Sequence, residues 1–308
     1  MAKRVLTLFG GSGFIASEII YRLHTHFDEV RILTRNTAKC NSIKVIKNVE
    51  VYLYDPSVPS TFTEHLKESG VVINTVGILN ESKKHSFDSI HYMLAKRIAD
   101  FSKKNGVNKL IHLSALNADT NGISKYLKSK GKADNYIEQQ KSNVFKIVIF
   151  RPSIVFGEAD SFFNRFANLL KFIPIFPLAC PYSMFSPVYV KDLVNFIEQS
   201  AISEKYNNKI FNITGPKNYR FIDLLRYILE VMNIKRIIIP LNYSLSKLQA
   251  AVFTVIPGNI FTLDNFKSLQ IDNISDDGLK GETCIEEVVP TYLAKNRYDD
   301  DIDKQDKD

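Results

Sequence analysis

A five-residue apolar run, Val5 to Phe9, ends at Gly10-Gly11-Ser12-Gly13-Phe14-Ile15-Ala16, after which the sequence turns helical. Gly10, Gly13 and Ala16 occupy the three positions of a glycine-rich strand-to-helix turn. The first allows the tight turn, the second lets backbone approach a pyrophosphate, and the third small residue keeps helix and strand close. The helix opening near Phe14 offers free N–H groups and a positive dipole end to an anion. Gly10, Gly11, Ser12, Gly13, Phe14 and Ile15 are therefore candidate nucleotide contacts.

Short β-branched runs alternate with helical stretches along the first half of the chain. The expected strands are Val5–Phe9, Glu29–Thr34, Val49–Tyr54, Val71–Val76, Lys109–Ser114 and Lys146–Phe150. Between them, Ala16–His26 and His91–Asn105 place apolar residues at helical spacing. Strand–helix alternation implies right-handed crossovers and a parallel sheet covered on both faces. The fold class is α/β, a Rossmann-type doubly wound parallel sheet with a smaller, partly interleaved C-terminal lobe. Residues 1–150 form the core, completed by about 188–214; 151–187 and 215–297 form the lobe. Pro174, Pro177 and Pro181 break any long helix there, Val190–Gln199 and Phe221–Met232 read as helices, and Lys209–Ile213 and Arg236–Ile239 as strands.

The formal net charge is +7, and the segment from Asp299 to Asp308 holds six Asp and two Lys. Residues 298–308 are expected to be a disordered acidic tail. The lysines elsewhere are scattered with no basic-aromatic stripe, which excludes nucleic acid as the expected partner. Cys40, Cys180 and Cys284 lack metal-ligand spacing and read as free thiols of a reducing compartment. No apolar stretch approaches a membrane span, and the first strand begins too early to follow a signal peptide, so a cytoplasmic location is expected. The six histidines read as structural or solvated, and no metal site is expected.

The end of the second strand discriminates between nucleotides. An acid there grips the ribose hydroxyls of NAD; here the position is Thr34, followed by Arg35. A missing carboxylate and a present cation suit a 2′-phosphate, so NADP(H) is expected ahead of NAD(H). Asp55 could meet the adenine or serve as a plain turn residue before Pro56. Val76 and Gly77 end the fourth strand, where glycine lets the backbone approach a ligand.

Tyr126 and Lys130 stand four apart, on one helix face, downstream of Ser114 at the end of the fifth strand. Open α/β sheets bind ligands at that edge. Ser114, Tyr126 and Lys130 are the candidate catalytic residues: a serine to hold a carbonyl, a tyrosine to exchange a proton, and an ammonium expected to lower the tyrosine pKa.

Leu8-Phe-Gly-Gly-Ser-Gly-Phe-Ile-Ala16, Tyr126-Leu-Lys-Ser-Lys130 and Arg151-Pro-Ser-Ile-Val-Phe-Gly157 resemble the atypical short-chain dehydrogenase/reductase superfamily. Asp160-Ser-Phe-Phe-Asn-Arg-Phe-Ala167, Pro187-Val-Tyr-Val-Lys-Asp192 and Pro290-Thr-Tyr-Leu-Ala294 narrow the resemblance to the NAD(P)H-binding accessory subunit of respiratory complex I (NADH:ubiquinone oxidoreductase) and its bacterial relatives. The resemblance implies tightly held NADPH of mainly structural role, complex I subunits as partners, ubiquinone-related metabolism, and a peripheral position on the inner face of the respiratory membrane, the matrix side in a mitochondrion. It also implies cofactor contacts from Arg35, Tyr126, Lys130 and the segment Arg151, Pro152, Ser153. Two departures stand out: Ala16 replaces the usual third glycine, and Ala133-Asp134 stands where Gly-Glu commonly follows the lysine. The alternative reading is an active NADP-dependent oxidoreductase or epimerase acting on a lipid-like or quinone-like carbonyl. Within Leu245–Ile260, Leu248, Ala251, Val252, Val255 and Ile256 form an apolar stripe, read either as a core helix of the lobe or as a face for a membrane-embedded partner or the membrane interface.

Overall fold

The computed structural model describes residues 3–255 and 261–294. The chain divides into two compact units, the first formed by the residues up to Pro152 with Leu193–Asn212, the second by Ser153–Asp192 with the residues from Ile213 onward. The expected acidic tail and the end of the apolar stripe at Ile256 lie outside the described residues.

Six strands build the first unit: β1 (Val5–Phe9), β2 (Glu29–Thr34), β3 (Val49–Leu53), β4 (Ser69–Asn74), β5 (Lys109–Leu113) and β6 (Lys146–Pro152). With Lys209–Thr214 and Leu279–Lys280 they form an eight-stranded parallel sheet, ordered Leu279–Lys280, Lys209–Thr214, β6, β5, β4, β1, β2, β3. The chain winds outward from β1 to β3, then returns to lay β4 on the other side of β1. That reversal opens a crevice at the carboxyl ends of β1 and β4, where doubly wound sheets hold ligands. Strands β1 and β5 are buried at every position, as expected of a sheet covered on both faces.

Phe9 meets Tyr54 and Phe62 edge to face, at 5.6 and 5.5 Å between ring centroids, within a cluster that includes Leu94, Ile98 and Ile137. These rings set the helices against one side of the sheet. The helix expected over His91–Asn105 begins earlier and differently: a π-turn, Asp88–Met93, leads into Leu94–Lys104. The wider turn carries His91, which faces the site described below.

The second unit has its own core, with Phe156, Phe163, Leu225, Ile228 and Tyr292 among its buried residues. Short strands that no periodicity foretold appear here, including Val155–Phe156, Met184–Phe185 and Val188–Tyr189. The motifs that narrowed the resemblance are staples within this unit. Asp160 receives the amides of Phe162 and Phe163 at 2.8 and 2.6 Å, opening the Phe163–Phe172 helix, and accepts the Tyr292 hydroxyl at 2.7 Å. Asp192 accepts the backbone amides of Glu282 and Thr283 at 3.0 and 2.9 Å. Tyr292→Phe removes the buried hydroxyl and strips one partner from Asp160, and is expected to cost about 1–3 kcal/mol in urea unfolding. An unchanged midpoint would contradict the assigned role.

Candidate functional site

Gly10 takes φ of +90°, and a Cβ there would lie 2.7 Å from Thr75 Oγ1. A Cβ on Gly11 would lie 1.9 Å from a methyl of Ile32. The turn therefore requires bare backbone at both positions. Gly10 N–H donates to Leu33 O at 3.0 Å, and Thr75 Oγ1 donates to Phe9 O at 2.8 Å, so β2 and the end of β4 hold the turn on either side. Gly13 caps the Phe14–Leu23 helix without a side-chain bond, leaving the first-turn amides to a ligand. Ala16 is buried, in keeping with its place as the third small residue.

At the end of β2, buried Thr34 exchanges hydrogen bonds with the backbone of Asn36, and Arg35 is exposed with no ion pair among the described residues. Asp55 is exposed and its Oδ1 accepts both the amide and the hydroxyl of Ser57, at 2.8 and 2.6 Å; those bonds hold its carboxyl below the usual range. The turn role thus accounts for one of its oxygens.

After β4, Asn74 Oδ1 accepts the Val76 amide at 3.1 Å, which orients the Asn74 amide and directs its Nδ2 to His112 Nδ1, also at 3.1 Å. His112 is buried, its pKa well below the usual histidine value because burial disfavours the charged ring. Its proton therefore sits on Nε2, 3.8 Å from Asp134 Oδ1. Gly77 passes close to the tyrosine helix: a Cβ there would stand 3.6 Å from Lys130 Nζ and 3.8 Å from His91 Nε2.

Ser124 caps the Lys125–Glu138 helix by accepting the Leu127 amide at 3.1 Å, and the helix continues through Gly131. It brings Tyr126, Lys130 and Asp134 to one face, at spacings of four. The Tyr126 ring packs at right angles to Phe87 and His91, whose rings stack on each other. His91 Nε2 accepts the Ile78 amide at 3.0 Å, so its Nδ1 donates to Ser129 Oγ at 2.9 Å, and Ser129 donates to Tyr126 O at 2.8 Å. Burial, with the nearby Lys130 charge, pushes the His91 pKa down to about 2. This histidine is a neutral brace for the tyrosine turn.

One expectation is reversed. Lys130 does not lower the Tyr126 pKa: burial, reinforced by the Asp134 carboxylate, pushes the phenol up to about 12. The ammonium is turned to Leu113 O at 3.1 Å, and burial takes its pKa down to about 8 against the pull of Asp134. A lysine four residues away favours phenolate only when its charge faces the ring more strongly than burial opposes it.

Asp134 is buried, and its Oδ2 accepts Arg151 Nε at 2.7 Å. Burial raises its pKa, while the Arg151 charge and the Ser114 hydroxyl act the other way. Arg151, expected against the cofactor, thus spends its Nε on this carboxylate. Pro152 is buried and its carbonyl accepts the Leu116 amide. Ser153 belongs to the second unit, where its hydroxyl bonds Asn273 at 2.6 Å. Ser114 is buried at the end of β5, and its Oγ makes no full hydrogen bond among the described residues. Asp134, His91 and Ser129 were missed as site residues; the i+4 step from Lys130 to Asp134 was the available signal.

The bare glycine turn and the helix start without a side-chain cap fit a bound dinucleotide. The comparisons agree. A family model described as NAD(P)H-binding matches residues 10–160. The mouse mitochondrial NADH dehydrogenase (ubiquinone) 1 alpha subcomplex subunit 9 is 27% identical over 284 residues, covering 90% of this chain and 74% of that protein. The mitochondrial NADH-ubiquinone oxidoreductase 40 kDa subunit of Neurospora crassa is 28% identical, over 69% of this chain but only 56% of its own length. Among solved structures, the UDP-glucose 4-epimerase of Thermotoga maritima superposes with a TM-score of 0.68 at 16% identity, covering 97% of this chain and 99% of that one, a likeness of fold.

Because burial takes the Lys130 pKa from 10.5 to about 8, the unfolded chain binds a proton between those values that the folded chain has released. Stability therefore rises with pH across that window. Relative to Lys130→Met, the wild-type unfolding midpoint is expected to gain between pH 8 and pH 10.5; a flat difference would contradict the buried ammonium. Residues 10–160 match an NAD(P)H-binding model, the fold is a Rossmann-type parallel sheet, and over 90% of its length the chain is similar to the accessory subunit of NADH:ubiquinone oxidoreductase.

Proposed function

We propose that this chain holds NADP(H) tightly, in a largely structural role, while associated with NADH:ubiquinone oxidoreductase or with ubiquinone metabolism. The observation that carries the reading is the bare-backbone glycine turn leading into a helix whose start has no side-chain cap, and the tyrosine–lysine pair adds to it. A phenol pushed up to about 12 and an ammonium committed to Leu113 O favour grip over proton transfer. The preference for NADP(H) rests on Thr34 in place of an acid and on exposed Arg35, whose guanidinium suits a 2′-phosphate. Gly10 to Ile15 would take the pyrophosphate, Val76 and Gly77 would flank the ribose beyond β4, and Tyr126 and Lys130 would hold the nicotinamide end. Asp55 would meet the adenine, with Arg151, Pro152 and Ser153 completing the set. Similarity to subunits of NADH:ubiquinone oxidoreductase supports partnership with the respiratory complex, and with it a peripheral station on the inner face of the respiratory membrane.

A second reading is favoured by one feature, the buried Ser114 hydroxyl without a full hydrogen bond. A substrate carbonyl would satisfy it, making the protein an oxidoreductase or epimerase acting on a lipid-like or quinone-like carbonyl. The bound nucleotide would then exchange hydride with the carbonyl carbon. Tyr126 would pass a proton to the oxygen, and Lys130 would hold the ribose.

Nucleotide released from the purified protein and identified by mass is expected to be NADP(H). In thermal shift, NADPH should stabilise the protein more than NADH does, and Arg35→Ala should weaken NADPH about ten-fold while sparing NADH. Equal or greater stabilisation by NADH would overturn the preference. Tyr126→Phe should keep its nucleotide and leave cellular NADH–quinone activity unchanged; loss of that activity with nucleotide retained would favour the second reading. Affinity purification that recovers no respiratory subunits would count against the partnership.

A further inference from the structure

The apolar side chains of the second unit do not all enter its core. The Tyr243–Val255 helix buries Ser246 and Ala250 and turns Leu245, Leu248 and Val252 outward on the opposite face. Leu248 is 59% exposed. Spacings of three and four align these three residues in one stripe, so the helix is inverted, with small residues inward and large apolar ones outward. Of the stripe read from the sequence, Leu248, Ala251 and Val252 face outward.

The stripe continues onto a sheet. Gln249 Nε2 donates to Pro177 O at 2.8 Å, and Ser246 Oγ accepts the Cys180 amide at 3.2 Å, laying the helix beside the Ile175–Leu178 strand. That strand pairs in parallel with Ile237–Pro240, Ile175 opposite Ile237 and Pro177 opposite Ile239. Strand alternation sends Phe176 and Ile238 to the core and leaves Ile175, Pro177, Ile237 and Ile239 outside. Ile237 is 61% exposed. Phe172, at the end of the neighbouring helix, is 84% exposed. Arg236 fastens that helix end by donating to Leu170 O and Lys171 O at 2.9 and 2.8 Å.

Charge over the same segments is one-sided. The chain carries 33 Asp and Glu, yet none lies within 161–191 or 231–263, the segments that supply this surface. Arg165, Lys171, Lys191, Lys235, Arg236 and Lys247 lie there instead, with Lys235 and Lys247 exposed. Exposed apolar residues on segments that carry no carboxylate of their own, with Lys235 and Lys247 exposed among them, are complementary to a lipid surface bearing anionic headgroups. The acid nearest in sequence to the Tyr243–Val255 helix is Asp264, at the start of the next helix. No helix among the described residues is long and apolar enough to cross a membrane, so such a contact is peripheral.

We infer that this face of the second unit docks directly on an anionic phospholipid bilayer. Phe172, Ile237, Leu245, Leu248 and Val252 enter the boundary between headgroups and acyl chains, and Lys235 and Lys247 meet the phosphates. The inference adds a lipid-contacting surface to the function proposed above and needs neither the nucleotide nor a protein partner.

Co-sedimentation of the full chain with phosphatidylcholine vesicles, with and without phosphatidylglycerol, tests it. The wild-type protein should bind the vesicles containing phosphatidylglycerol, and L248E/V252E and K235Q/K247Q should each weaken that binding about ten-fold. All substituted positions are exposed, so the urea midpoint of each variant should match the wild type and separate lost docking from lost folding. Failure of the wild-type chain to bind either vesicle overturns the inference. So does undiminished binding by L248E/V252E, which would mean adhesion by charge alone. Undiminished vesicle binding by both variants, together with loss of a protein captured by the wild type, assigns the face to a protein and likewise overturns it.

Discussion

The close approach of backbone to backbone at the carboxyl end of β1 is the constraint on which the first unit depends. Gly11 stands where a side chain would run into Ile32, and Gly10 turns through a conformation that other residues resist, against Thr75. Those contacts bring the ends of β1, β2 and β4 together just where the strand order reverses. The helix start that follows is then aimed into the crevice with its amides free, and Gly77, Lys130 and Ser114 close around the same edge. A larger residue at either glycine would push apart the strands that define the site.

Behind that edge lies a buried polar group whose members come from four separate stretches of chain. Asp134 is held by Arg151, faces His112 and lies one turn from Lys130. Two neutral histidines, a carboxylate and a guanidinium in a low-dielectric setting make a rigid support, since each ring nitrogen on His91 has a defined role.

Much of this was legible in the residues. The turn, the order of strands in the first half and the shared face of Tyr126 and Lys130 all follow from local spacing, and Phe221–Met232 forms the helix its periodicity implied. What local spacing does not carry is the setting of a group. The Tyr126 pKa depends on enclosure by Phe87 and His91 and on the Asp134 carboxylate, whose partner, Arg151, comes from strand β6. The apolar stripe of Tyr243–Val255 shows the same limit: periodicity reveals a stripe but is blind to rotation about the helix axis. Ser246, bonded to the Cys180 amide, and buried Ala250 mark the side that faces inward. Two-residue strands such as Met184–Phe185 are too short to leave any pattern.

The backbone leaves one unit for the other after Pro152, returns after Asp192 and departs again after Asn212. The stretch it brings back carries Glu198, which receives Arg22 and His26 from the opening helix and the turn after it, while Lys109 of β5 donates to the carbonyls of Ser200 and Ser203. No single cut can therefore isolate an intact nucleotide-holding half. A fragment ending at Pro152 would leave bare the surface that Leu193–Asn212 covers, with Arg22, His26 and Lys109 stripped of the partners that stretch supplies.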